Sequence, residues 1–257
     1  MDVQRLIELS VATFLTCIAG FVDAAGFLAF ARVYTANMSG NSVALGIAIS
    51  QRNWTTALFR FWPVLFYVFG LVFGRALLAI GARRNTRHIA STAFGSEVLL
   101  LLLALFVGTV SPAAIPGRQY LAIALLASAM GIQNSTLTRF SSLTLHTGFV
   151  TGTLVKMSEQ FVASVAFLFE RLRAGQLFLP SLTAAASQKS LRMTLFLAMT
   201  WTAYVLGAAL GGWRNSAMQS RALLYPIAAL TLLIALDSIR PLAREDEQEQ
   251  RRLQTGA

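Results

Sequence analysis

Long apolar runs alternate along the chain with short polar or basic breaks. The first run extends from about Leu6 to Phe30, with Asp23 the only charge between Leu9 and Ala31. A second, about Leu58 to Gly81, carries Arg75, and a third, about Ala90 to Val110, has Glu97 near its start. The fourth, Gln119 to Thr138, is uncharged between Arg118 and Arg139. The fifth is Met193 to Trp213, and the sixth, about Ala222 to Ile239, contains Asp237. Each is close to the ~20 residues that a helix needs to cross a hydrocarbon core of roughly 30 Å. Lipid offers the backbone no hydrogen bonds, so the runs are predicted to be helices and the fold all-α.

The breaks are not uniform. Residues 32–57 contain a polar cluster and a short apolar piece, Val43 to Ile49, too short to span and so expected to be re-entrant or interfacial. Thr151 to Phe169 carries Lys156 and Glu159 and is left open as a span. Glu170 to Arg192 reads as a polar linker, and the tail 244–257, with its alternating charges, as a solvated end.

Composition turns these runs into a membrane protein. Hydrophobic residues make up 56% of the chain and charged residues 12%, against about a quarter charged in soluble domains. The formal net charge of +10 is not spread as a stripe that nucleic acid would need. It gathers between runs, as at Arg83, Arg84 and Arg87 or Arg171 and Arg173, which fits positive loops on the inner membrane face. Six spans then place both termini inside. Cys17 is the only cysteine, so neither a disulfide framework nor a thiolate metal site is expected. No nucleotide-binding or zinc-hydrolase signature occurs, and no enzyme activity, cofactor or metal is expected.

The runs repeat. Gly20 to Asn41 holds Asp23 and then Thr35-Ala36-Asn37-Met38-Ser39-Gly40-Asn41; a degraded copy holds Gly131-Ile132-Gln133-Asn134 and then Thr147 to Thr153. Tyr67 to Gly74 in the second run matches Tyr204 to Gly211 in the fifth, each with a G-x-x-x-G (Gly70 and Gly74, Gly207 and Gly211) that suits close helix packing. Two repeats of three spans, residues 1–112 and 113–243, must cross in opposite directions, which predicts two inverted three-helix repeats with broken segments.

The stretches AGFVDAAGFLAF, TANMSGNSVALG, MGIQNSTL and TGFVTGTLVKMSE resemble the YoaK family of bacterial membrane proteins, in order and from about Val11 to Asp237. The resemblance implies a six-span protein of the bacterial inner membrane and supplies no substrate and no catalytic residue.

Asp23 is the leading candidate. A carboxyl inside a membrane helix needs a partner or a wet cavity, so it reads either as a proton or cation coupling site or as a lock onto Asn134 or the Thr35–Asn41 loop. Thr35, Asn37, Ser39, Gly40 and Asn41, with Asn134, Thr147, Thr151, Gly152 and Thr153, offer hydroxyls, amides and free backbone groups at two broken helices, where solutes and ions bind in carriers. Arg75 reads as a partner of Asp23 or Glu97 or as a snorkelling cation; Glu97 and Asp237 read as interfacial, and His146 as a minor proton-relay candidate. The sequence therefore predicts a secondary transporter or channel-like carrier of a small solute or ion, with a non-transporting scaffold or partner subunit as the alternative. The bilayer is the assured partner, and a homo-oligomer is allowed.

Overall fold

The computed structural model describes residues 3–30, 32–84, 89–111, 113–140 and 150–239. Thr147, His146, Arg87 and the tail 244–257 lie outside them. The regular elements of the described residues are all helical: α1 (Val3–Ala29), α2 (Met38–Ser50), α3 (Trp54–Arg83), α4 (Ile89–Thr109), α5 (Arg118–Phe140), α6 (Val150–Arg173), α7 (Phe178–Ser187), α8 (Lys189–Met218), a 3₁₀ turn (Gln219–Leu223) and α9 (Leu224–Ile239).

Among the described residues, five stretches are long and apolar enough to cross a membrane: Leu6–Ala29, Trp54–Gly81, Ile89–Thr109, Arg118–Leu137 and Lys189–Ile239. The last contains both the fifth and the sixth expected spans, divided by the 3₁₀ turn at Gln219, whose φ is +50°. α6 does not reach that apolarity, because Lys156, Glu159, Glu170, Arg171 and Arg173 lie on it. α2, at about 20 Å, is too short to cross. The expected polar linker is largely helical instead: α6 runs on to Arg173, and FLPSLTAAAS forms α7, with Pro180 in its first turn where no intrahelical N–H bond is lost.

Contacts fix the helix directions. Cys17 lies on Gly207 and Phe21 on Gly211, so α1 and α8 run parallel. The Trp62 indole donates to Tyr120 O at 2.9 Å, while Gly70 lies on Ser128 and Gly74 on Ile132, so α3 and α5 also run parallel. Ser91 on α4 meets Asp237 on α9, and Gly108 meets Ser220, so these two are antiparallel. Phe30, Gly108 and Ser220 come together at one end, and there the chain turns back from α8 into α9.

α1 and α5 form the centre, with 67% and 83% of their apolar windows buried, against 22% for α3. Leu15, Ile123, Leu126 and Met130 are among the fully buried side chains. Val68, Phe69, Val72 and Phe73 of α3 stay exposed, a surface suited to lipid rather than water.

Candidate functional site

The site begins where α1 stops. Gly26 O accepts from Phe30 N and Phe27 O from Arg32 N, after which Arg32, at φ +55°, reverses the chain. The strand of backbone from Val33 to Asn37 folds back over α1, and Gly26 admits it: a Cβ there would lie 3.0 Å from Thr35 Cγ2. Thr35 and Ala36 fall between helices, so their N–H groups have no helical acceptor. Both donate to Asp23 Oδ1, at 2.6 and 2.8 Å, and the Thr35 hydroxyl approaches the same oxygen at 3.4 Å. Asp23 Oδ2 accepts from the Tyr204 hydroxyl of α8 at 2.8 Å. The carboxyl is buried and surrounded by donors.

Asn41 fastens the far side of the turn. Its Nδ2 donates to Tyr34 O at 2.7 Å and its Oδ1 accepts from Tyr34 N at 3.3 Å. The Ser39 hydroxyl donates to Asn37 Oδ1 at 2.7 Å on the exposed side, and Gly40 faces the Tyr34 ring.

The same contacts recur in the second half. A Cβ on Gly207 would fall closer than 3.0 Å to Cys17 O, and one on Gly70 equally close to Ser128 O. Gly20 abuts Tyr204 O as Gly131 abuts Tyr67 O, and Gly211 abuts Phe21 as Gly74 abuts Ile132. Asn134 Nδ2 donates to the Tyr67 hydroxyl, in the place where Tyr204 meets Asp23. Cys17, Gly20, Phe21 and Asp23 thus correspond to Ser128, Gly131, Ile132 and Asn134, each pair at one sequence separation. Tyr67, Gly70 and Gly74 correspond in the same way to Tyr204, Gly207 and Gly211. Tyr67 lies within electrostatic range of Asp23, and α1 packs on α5.

Of the candidates, Asp23, Thr35 and Asn41 meet at the first break, with Asn37, Ser39 and Gly40 beside them. Asn134 holds the equivalent place in the second half. Thr153 is buried on α6, which packs on α8, while Gly152 is half-buried and Thr151 exposed. Arg75 is exposed, which leaves the snorkelling alternative and not the pairing with Asp23 or Glu97. Two expectations are corrected. Glu97 is fully buried rather than interfacial, because Ala90, Ala93, Phe94, Glu97 and Leu101 form the one buried stripe of α4. Asp237 is buried too, accepting from Ser91 N and from the Ser91 hydroxyl. The sequence reading missed both tyrosine hydroxyls, although each tyrosine stands three residues before a matched G-x-x-x-G.

The two tyrosines should not be equivalent in stability. Tyr204→Phe removes a bond to a carboxyl and should cost about 1.5–3 kcal/mol, whereas Tyr67→Phe removes a bond to an amide and should cost about 0.5–1.5 kcal/mol. Thermal unfolding of the purified variants in one detergent checks the order.

The family described as "Protein of unknown function (DUF1275)" matches residues 11–236. Among curated proteins, the "UPF0700 transmembrane protein YoaK" of Bacillus subtilis (strain 168) is 28% identical over 155 residues, which is 60% of this chain and 67% of the relative. No solved structure matches the chain.

Proposed function

We propose that this chain, which belongs to the family described as "Protein of unknown function (DUF1275)", is a secondary carrier, or a channel-like relative, for a small solute or ion. The observation that carries the reading is the repeated contact set, Asp23–Tyr204 with Cys17–Gly207 and Asn134–Tyr67 with Ser128–Gly70. Carriers of this kind are built from two related halves that cross the membrane in opposite directions, with helix bundles that rock against each other around a central polar site. Here residues 1–112 and 113–243 are the halves, and each tight helix pair takes one helix from each of them. α1–α8 and α3–α5 move as stiff bodies, because their glycines bring backbone against backbone. Tyr67 of one body lies within electrostatic range of Asp23 of the other.

In this reading Asp23 is a positioning residue. Its oxygens are engaged by Thr35, Ala36 and Tyr204, so it holds the unwound segment in place, and the solute meets the segment from Thr35 to Asn41 and its second-half counterpart near Thr151–Thr153. The protein is a multi-pass membrane protein, and the reading puts it in the bacterial inner membrane with both ends cytoplasmic.

Cysteine accessibility tests the arrangement. In a Cys17→Ala background, Ser39→Cys should label from outside and Thr151→Cys from inside; both side chains are exposed. Labelling of both from one face would sink the opposed halves. The full engagement of Asp23 within its own chain favours a second reading, a scaffold that moves nothing. Flux screens with purified protein in liposomes separate the two, since a scaffold leaves every gradient intact.

A further inference from the structure

Glu97 on α4 is fully buried, and neither of its carboxyl oxygens has a hydrogen-bond partner. On α5, which packs against α4, Gln133 is also fully buried with both amide atoms unpartnered. The two share a depth. Arg118, at the start of α5, donates to Val110 O at the end of α4, so the helices run antiparallel. From that end Glu97 lies about 20 Å along its helix and Gln133 about 22 Å along its own. Two side chains of high hydrogen-bonding capacity, left unsatisfied at one level on adjacent helices, are exceptions in a folded interior and call for a function.

The binding partner must suit a lone carboxyl. A metal cation would need several oxygen ligands, and no group of three or more acidic, histidine or cysteine side chains is assembled among the described residues. A bare carboxylate without donors is what such an interior tolerates least, and its neutral acid is the form that fits. We propose that Glu97 is a proton-binding site inside the membrane, carrying its proton in this conformation and exchanging it when the α4–α5 contact opens to water. The step is one proton leaving the carboxyl for water and one returning.

The other titratable groups on packed elements whose side chains are described are already placed. Tyr67 of α3 is bonded to Asn134, Asp237 of α9 to Ser91, and Arg118 of α5 to Val110. Arg75 and Arg83 of α3 and Arg221 of the 3₁₀ turn are exposed, Arg60 is bonded to Arg32 O, and Tyr120 and Tyr225 lie toward the far end of α4. Arg139 stands in the last turn of α5. The proposal rests on the carrier reading for its use, but not for its test.

Infrared difference spectra of the full chain in lipid nanodiscs, recorded across a pH series in water and in heavy water, read the carboxylic C=O band directly. The band should be present in the native protein, absent in Glu97→Gln and retained in Asp23→Asn. Because the amide mimics the neutral acid, Glu97→Gln should keep the native melting temperature, and Glu97→Asp should keep a shifted band. An unchanged band in Glu97→Gln, no such band in the native protein, or collapse of Glu97→Gln on solubilisation would each overturn the proposal. A native band in a protein that moves no solute across liposomes would instead sink the carrier reading and leave the proton site standing.

Discussion

Gly207→Ala is expected to part α1 from α8 and lower the melting temperature more than any other single methyl added to this chain. The new Cβ would meet Cys17 O closer than 3.0 Å, with Cys17 C behind it. Backbone of a buried helix cannot swing away as a side-chain tip can, so the whole pair must shift. Overpacking costs about 1–3 kcal/mol, and this site belongs at the upper end. Gly70→Ala, against Ser128 O, should behave alike and disturb α3–α5 instead. Gly46→Ala is the control: nothing lies within 4 Å of its Cβ, and the residue is in the middle of α2. There the gain in helix propensity should stabilise by about 0.5–1 kcal/mol. Fluorescence-detected size-exclusion chromatography after heating ranks all three. Equal melting points for Gly207→Ala and Gly46→Ala would mean that α1 and α8 are not in backbone contact.

Asp23→Ala should be at least as damaging, by a different route. It strands the Thr35 and Ala36 N–H groups and the Tyr204 hydroxyl in a buried place. A buried donor without an acceptor costs about 1–3 kcal/mol, so a total of about 3–5 kcal/mol is expected after partial relaxation. Asp23→Asn keeps one acceptor oxygen for the two amides and should lose about 1–2 kcal/mol. The local consequence is release of the segment from Val33 to Asn37. Amide hydrogen exchange should therefore accelerate at Thr35 and Ala36 in Asp23→Asn before it does in α8. Unchanged exchange at those two amides would show that the carboxyl does not hold the turn.

The membrane helices were legible because length and apolarity decide them, and α1, α3, α4 and α5 fall close to the runs read from sequence. Which face of a helix is buried was not. α4 is apolar all round, so nothing in its sequence separates the side bearing Glu97 from the side bearing Phe106, and only packing on α5 and α9 does so. The partner of Asp23 was half legible. The loop from Thr35 is one of the two partners that the sequence admits for Asp23, and the backbone N–H groups that supply its bonds have no residue-specific signal. Tyr204 is far away in sequence and was visible only as a member of a repeated octapeptide. α7 was obscured by reading its flanks, rich in arginine and glutamine, as the character of the whole connection.

The pairing of α1 with α8 has a consequence for the order of manufacture. Cys17 leaves the ribosome some 190 residues before Gly207, a delay of roughly 10–40 s at ordinary elongation rates. The glycine-lined side of α1 waits that long in the bilayer without its partner. α3 and α5 are both complete well before α8 exists, and their mutual surface does not depend on it. Assembly therefore starts from α3 and α5 in the middle of the chain, and the oldest helix is among the last to be seated.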